Sequence, residues 1–198
     1  MYKKYKSFID QYIYFNTIEW TLLKSKLKIA HFKKGEIIHY AGDVCTKMMF
    51  VNSGLARAYL LDEKGKDFTW SIFFNDENAG MTNLFIVDYD SFIHQSPSKI
   101  SIEILEDCEV IVSSYDDVQF LYNHLKKGER FGRLMSQEAY SYLHNYFIDR
   151  QTHSAKERFD DFIDKTPYLL DKVPQYHIAS LLGITPQHLS RLKKESDN

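Results

Sequence analysis

Gln187 and Arg191 stand four residues apart in a stretch, residues 172–194, that contains no aspartate or glutamate. On a helix that spacing puts both side chains on one face. Glutamine can pair with adenine N6 and N7, and arginine with guanine O6 and N7, across the major groove of DNA. Thr185, His188, Ser190 and Lys194 lie on the same segment and supply further hydrogen-bonding groups. Lys172, Arg191, Lys193 and Lys194 make it locally basic, although the whole chain carries a formal net charge of −2. A basic face on an acidic chain is the electrostatic footprint of a phosphate-backbone contact. An ordinary pair of helices with a solvated polar face is the alternative reading.

Two short helices meeting at a tight turn would position these groups. Pro174 suits a first helical turn, and Ile178, Leu181 and Leu182 then share a face. Ala179 lies four residues before Gly183, which fits a second helix crossing close to a small side chain and a left-handed turn at the glycine. Thr185 is a good N-cap, Pro186 a good first residue, and Leu189 and Leu192 point back to the shared core.

The run Ile178-Ala179-Ser180-Leu181-Leu182-Gly183-Ile184-Thr185-Pro186-Gln187-His188-Leu189-Ser190-Arg191 resembles the C-terminal helix-turn-helix of the Crp/Fnr transcription regulators, in its Bacteroidetes-type version. The resemblance implies that the second helix enters the major groove of double-stranded DNA with Gln187 and Arg191 at base edges. Pro186 stands where many relatives carry a basic base-reading residue, so that contact is absent. With six residues after Leu192, the usual wing hairpin is not expected. Lys34-Gly35-Glu36, Gly42-Asp43 and Phe50-Val51-x-x-Gly54-x-x-Arg57 are similar to the cyclic-nucleotide-binding domain of the same family, with Gly42 and Gly54 expected in tight turns.

The 198 residues, 44% hydrophobic and 15% aromatic, suffice for one large domain or two small ones. No apolar run reaches the roughly 20 residues of a membrane helix. The basic N-terminus is followed by no secretory apolar block, so no signal peptide is expected. Cys45 and Cys108 are too few for a disulfide framework or an iron–sulfur cluster, and a reducing cytoplasm fits. The histidines show no paired ligand spacing, so no metal or other cofactor is expected. No clustered His-x-His and Glu set supports a cupin-like enzyme, and no catalytic residue is assigned.

Along the chain, Phe8, Tyr12, Phe15, Ile18, Leu22, Leu23 and Leu27 predict helix over residues 7–30. From Ala30 to Ser113 short runs separated by turn residues predict strands: Ile37–Tyr40, Met48–Val51, Leu55–Leu61, Phe68–Phe74, Ile100–Leu105 and Val110–Val112. Asp62–Lys66 is a hairpin tip. Ser114 with Asp117 offers a helix cap. After Lys126-Lys127-Gly128 a long helix carries Phe131, Leu134, Met135, Tyr142, Leu143, Tyr146 and Phe147, one side for the barrel and one for a second copy of the chain. A hinge is expected at Asp149–Ser154, then a helix from Ala155 to Lys165 with Phe159, Phe162 and Ile163 inward and a stop at Thr166-Pro167.

The family's cyclic-nucleotide cassette has a Gly-Glu pair and a nearby arginine. By resemblance it maps to Gly80, Met81, Thr82 and Asn83, and to Ser98 with Lys99. Met81 occupies the glutamate position and Ser98 the arginine position. A serine cannot replace a bidentate guanidinium on phosphate, and on an alternating strand Lys99 faces away from Ser98. These residues therefore imply a small-molecule effector other than cyclic AMP, or none. Phe73, Phe74, Phe85, Tyr89 and Phe92 could line an apolar cavity or simply form core.

The reading is an α+β fold: a double-stranded β-helix (jelly-roll) barrel with flanking helices over 1–126, a long dimerisation helix over 127–150, and a helix-turn-helix over 151–198. It predicts a cytoplasmic homodimeric transcription regulator with no membrane partner. A ligand-sensing module acting through protein–protein contacts without DNA is the alternative.

Overall fold

The computed structural model describes residues 2–196. The expected helix over 7–30 divides into α1 (Lys3–Asp10) and α2 (Thr17–Ser25), followed by strand β1 (Lys28–Phe32). Asn16 starts α2 through a capping box. Its side chain accepts from the Glu19 N–H at 2.9 Å, and the Glu19 carboxylate accepts from the Asn16 N–H at 2.8 Å. The break turns Phe15 into the core at 2% exposure and leaves Ile18 82% exposed, although both fit one periodic stripe.

The remaining strands are β2 (Ile37–His39), β3 (Lys47–Leu61), β4 (Asp67–Phe73), β5 (Phe85–Ile86) and β6 (Ser101–Ser114). They make one antiparallel sheet with the order β1-β6-β3-β4; β2 also pairs β6 and β5 also pairs β3. Here the expected punctuation fails. Met48–Val51 and Leu55–Leu61 belong to β3; Val110–Val112 and, apart from Ile100, the run Ile100–Leu105 fall along β6. The turn-like residues Asn52–Gly54 and Glu106-Asp107 lie opposite one another as bulges, with register shifts from Val51 to Ala56. Gly54 therefore sits within a strand, not in a turn. Its φ is 99°, and a Cβ there would collide with the Asp107 carbonyl and with Cys108. Gly42 does occupy a turn, and the Asp62–Lys66 tip closes by an Asp62 N–H to Lys66 O bond of 3.0 Å.

Short helices α3 (Met81–Leu84) and α4 (Tyr89–His94) interrupt the strands, and α5 (Tyr115–His124) follows β6. Ser114 caps α5 by accepting from the Asp117 N–H at 3.1 Å. Next comes α6 (Lys126–Thr152), which takes the expected Lys126–Gly128 connector into its first turn. The buried face of α6 is Gly128, Gly132, Met135 and Ala139. Any side chain at Gly128 would meet the Leu121 carbonyl, and one at Gly132 the Tyr122 ring, so the glycines let α6 lie close on α5. Beyond Ala139 one side of the helix is uncovered, with Tyr140, Leu143 and Phe147 exposed, while Tyr146 still packs against Trp70.

The chain ends in α7 (Ala155–Lys165), α8 (Leu169–Lys172), α9 (Gln175–Leu182) and α10 (Pro186–Ser196). Phe159 is buried; Phe162 and Ile163 are partly so. These helices share a core with the sheet, where Leu55, Ile72, Phe74 and Leu105 meet Phe159, Leu169, Ile178 and Leu189. A second core packs Phe8, Phe50, Phe85 and Met135 between α1, the sheet and α6. Among the described residues no helix is long and apolar enough to cross a membrane.

Candidate nucleic-acid interface

Pro174 precedes α9 instead of entering its first turn, and its carbonyl accepts from the His177 N–H at 2.9 Å. Ile178, Ala179 and Leu182 are buried. The helix stops at Gly183, with φ 69° and ψ 35°. The Gly183 N–H donates to Ser180 O at 3.0 Å and the Ile184 N–H to Ala179 O at 2.9 Å, the paired closure of a Schellman turn. Thr185 then caps α10, its Oγ1 accepting from the His188 N–H at 3.2 Å. Leu189 and Leu192 seat α10 on α9 at 0% and 5% exposure.

That seating decides what faces out. Thr185, Gln187, His188, Ser190, Arg191 and Lys194 are all exposed, and Lys193 is half-buried. Lys172, by contrast, turns to the sheet and pairs with Glu106 at 3.1 Å. The basic surface is therefore concentrated on α10.

Sequence reasoning missed the groups that hold this pair of helices. Arg150, in the last turn of α6, donates from Nη1 to Leu181 O at 2.9 Å. Arg158 of α7 donates from Nε to Leu182 O at 3.0 Å and from Nη1 to His153 O at 2.6 Å. Two guanidiniums thus satisfy the last carbonyls of α9, where the helix dipole is negative. The Arg150 guanidinium fills the space that a Cβ at Gly183 would need. A glycine after a helix signals a left-handed turn, but nothing local in the sequence signals a guanidinium from another element.

On the opposite side α9 rests on β4. The Thr69 N–H donates to Ser180 Oγ at 2.8 Å, and Thr69 Oγ1 lies 3.5 Å from His177 Nδ1. Below them Arg57, only 4% exposed, reaches Asp67 at 2.6 Å and Glu103 at 2.9 Å. His177 is 1% exposed; burial, reinforced by the Arg57 charge and opposed by Asp67, pushes its pKa down to about 4, so it is neutral at pH 7.

The expected ligand residues do not converge on one pocket. A cavity of about 250 Å³ lies between α1, α2, the sheet and α6, and Met81 and Thr82 line it. Gly80 starts α3, and Asn83 is held by the Gly80 N–H and by Ile72 O, to which it donates at 2.9 Å. Ser98 is buried, donating to Asp88 at 2.6 Å; Lys99 is exposed. Phe73, Phe85 and Tyr89 line the cavity. Phe74 instead packs against Tyr168, and Phe92 against Tyr115.

Residues 29–125, from β1 through α5, match the cyclic nucleotide-binding domain family. No curated protein sequence matches the chain. A protein of Eubacterium rectale described as a transcriptional regulator of the crp/fnr family has a similar fold, with a TM-score of 0.67 at 19% identity over 91% of this chain and 83% of that one. FixK2 of Bradyrhizobium japonicum gives 0.68 at 14% identity over 85% and 83%. The c-di-GMP responsive global regulator CLP of Xanthomonas campestris gives 0.60 at 14% identity over 92% of each chain. At such identities the likeness is one of fold.

Proposed function

We propose that this chain is a homodimeric, sequence-specific DNA-binding transcription regulator of the Crp/Fnr type, acting in the cytoplasm without responding to cyclic AMP. The observation that carries the reading is the outer face of α10, where Gln187 and Arg191 share one exposed surface above buried Leu189 and Leu192. The regulators among the proteins of similar fold support it. In this reading residues 1–126 are a sensor unit, 127–150 a dimerisation helix and 151–198 the DNA-binding unit. Thr185, Gln187, His188, Ser190, Arg191 and Lys194 face DNA. The exposed Leu143 and Phe147 side of α6 is covered by the same helix of a second copy.

Cyclic AMP insensitivity follows from the absence of a phosphate partner. Met81 carries no carboxylate for a ribose hydroxyl, Ser98 is committed to Asp88, and Lys99 points to solvent. The test of the overall function is a salt titration of binding to duplex DNA with the full chain. A regulator loses affinity steeply as salt rises, because cationic side chains release condensed counterions. A module that docks only on proteins shows no affinity for duplex DNA at any salt concentration, and that result would refute the reading.

A further inference from the structure

The cavity between α1, the sheet and α6 has a chemistry that does not suit a nucleotide. We infer that it binds an uncharged, apolar molecule somewhat larger than benzene that presents one hydrogen-bond acceptor, such as a ketone oxygen, to the Tyr5 hydroxyl. The size follows from its volume of about 250 Å³, since an apolar cavity of about 150 Å³ suffices to take up benzene. Leu27, Phe50, Phe85, Ile111 and Met135 supply apolar wall.

The charge of the wall selects against anions. Asp88 and Asp90 line the cavity, and among its described lining residues there is no lysine, arginine or histidine. A phosphate or carboxylate would leave water to meet two carboxylates and no cation. The polar handle is Tyr5. It is 8% exposed, lines the cavity, and its hydroxyl makes no hydrogen bond among the described residues. Burial raises the Tyr5 pKa, and Tyr122, which shares the cavity wall, is pushed up to about 12. Both phenols therefore keep their protons and act as donors at neutral pH. The hydroxyl faces a largely apolar cavity without a protein acceptor, and a ligand carbonyl would supply one. An amine ligand would suit the carboxylates, but it would place a cation in a largely apolar chamber and offer the phenol no acceptor.

The binding chemistry stands without DNA; only a regulatory consequence, carried by α6 from Met135 to Arg150, rests on the regulator reading. The test is calorimetry on the full chain without DNA, with acetophenone as the ketone, toluene as a body of similar shape without the acceptor, and benzoate as the anion. Acetophenone and toluene should bind at low millimolar concentration or better, and benzoate at least about tenfold more weakly than acetophenone. Tyr5→Phe keeps the ring and should weaken acetophenone about three- to tenfold while leaving toluene unchanged. Should Tyr5→Phe lose toluene as well, Ala139→Leu, which adds bulk at another lining residue, must abolish acetophenone binding. Flat titrations with both neutral probes, benzoate as tight as acetophenone, unweakened acetophenone binding in Tyr5→Phe, or acetophenone binding that persists in Ala139→Leu would overturn the inference. Loss of DNA binding alone would bear on the regulator reading and leave this site intact.

Discussion

Replacing Gly183 by alanine should damage the α9–α10 turn in two separable ways. The first is backbone strain: with φ at 69°, an L side chain at this position costs roughly 1–2 kcal/mol. The second is the collision of the new methyl with Arg150, whose Nη2 lies 2.5 Å from the Cβ position. The guanidinium is the end of a flexible chain, so it should swing away and give up its 2.9 Å bond to Leu181 O. A hydrogen bond from a charged donor is worth about 1.5–3 kcal/mol, and partial exposure of Arg150 favours the lower end. The single substitution should therefore cost about 3 kcal/mol in urea unfolding. Arg150→Ala should cost about 1.5 kcal/mol by losing the same bond. In the double variant that bond can be lost only once, so the two costs should fall short of adding by about 1–1.5 kcal/mol. Strict additivity in the four-variant cycle would show that Arg150 does not occupy the turn, and the link from α6 to the α9–α10 pair would fail with it.

Arg191→Ala should cost about 1–3 kcal/mol at a cognate site and relax the preference at one base position; equal loss on random duplexes would reduce Arg191 to a phosphate contact. His177 titrates near pH 4 in the fold against about 6.5 when unfolded. Because the unfolded chain takes up the proton first, stability should be complete above about pH 6.5 and fall by about 3 kcal/mol as pH drops toward 4. His177→Gln should flatten that part of the stability profile; an unchanged slope would place the acid sensitivity elsewhere. Leu143→Glu together with Phe147→Glu should yield a folded monomer by sedimentation, since both side chains are exposed in the single chain; a persistent dimer would move the interface away from α6. Calorimetry with cyclic AMP and cyclic GMP should be flat, and micromolar binding of either would overturn the argument from Met81 and Ser98.

Local chemistry is what the sequence made readable. Gly183, Thr185 and Pro186 announce the turn and the start of α10 because capping is satisfied within a few residues. Leu189 and Leu192 then fix which face is hidden. Ser114 and Asp117 announce α5 in the same way. Periodicity misled where it met a cap it did not weigh: Phe15 and Ile18 continue one stripe, yet Asn16 breaks it. The divided strands were misread because Asn52–Gly54 and Glu106-Asp107 look like turns until they are seen opposite one another. The guanidinium caps on α9 and the core shared by Leu55, Ile72, Phe74 and Ile178 join residues far apart in the chain. No spacing rule reaches them. For the candidate site, the outward set on α10 was legible, while the scattering of Gly80, Asn83, Ser98 and Lys99 away from the cavity was not.

Selection of bound sequences from a random duplex pool, using the full chain, tests the regulator reading most directly. Two α10 helices carried by a symmetric dimer should enrich a two-fold symmetric motif, with half-sites about one helical turn, ~34 Å, apart. A pool that gains no motif, or one with a single unpaired half-site, would contradict it.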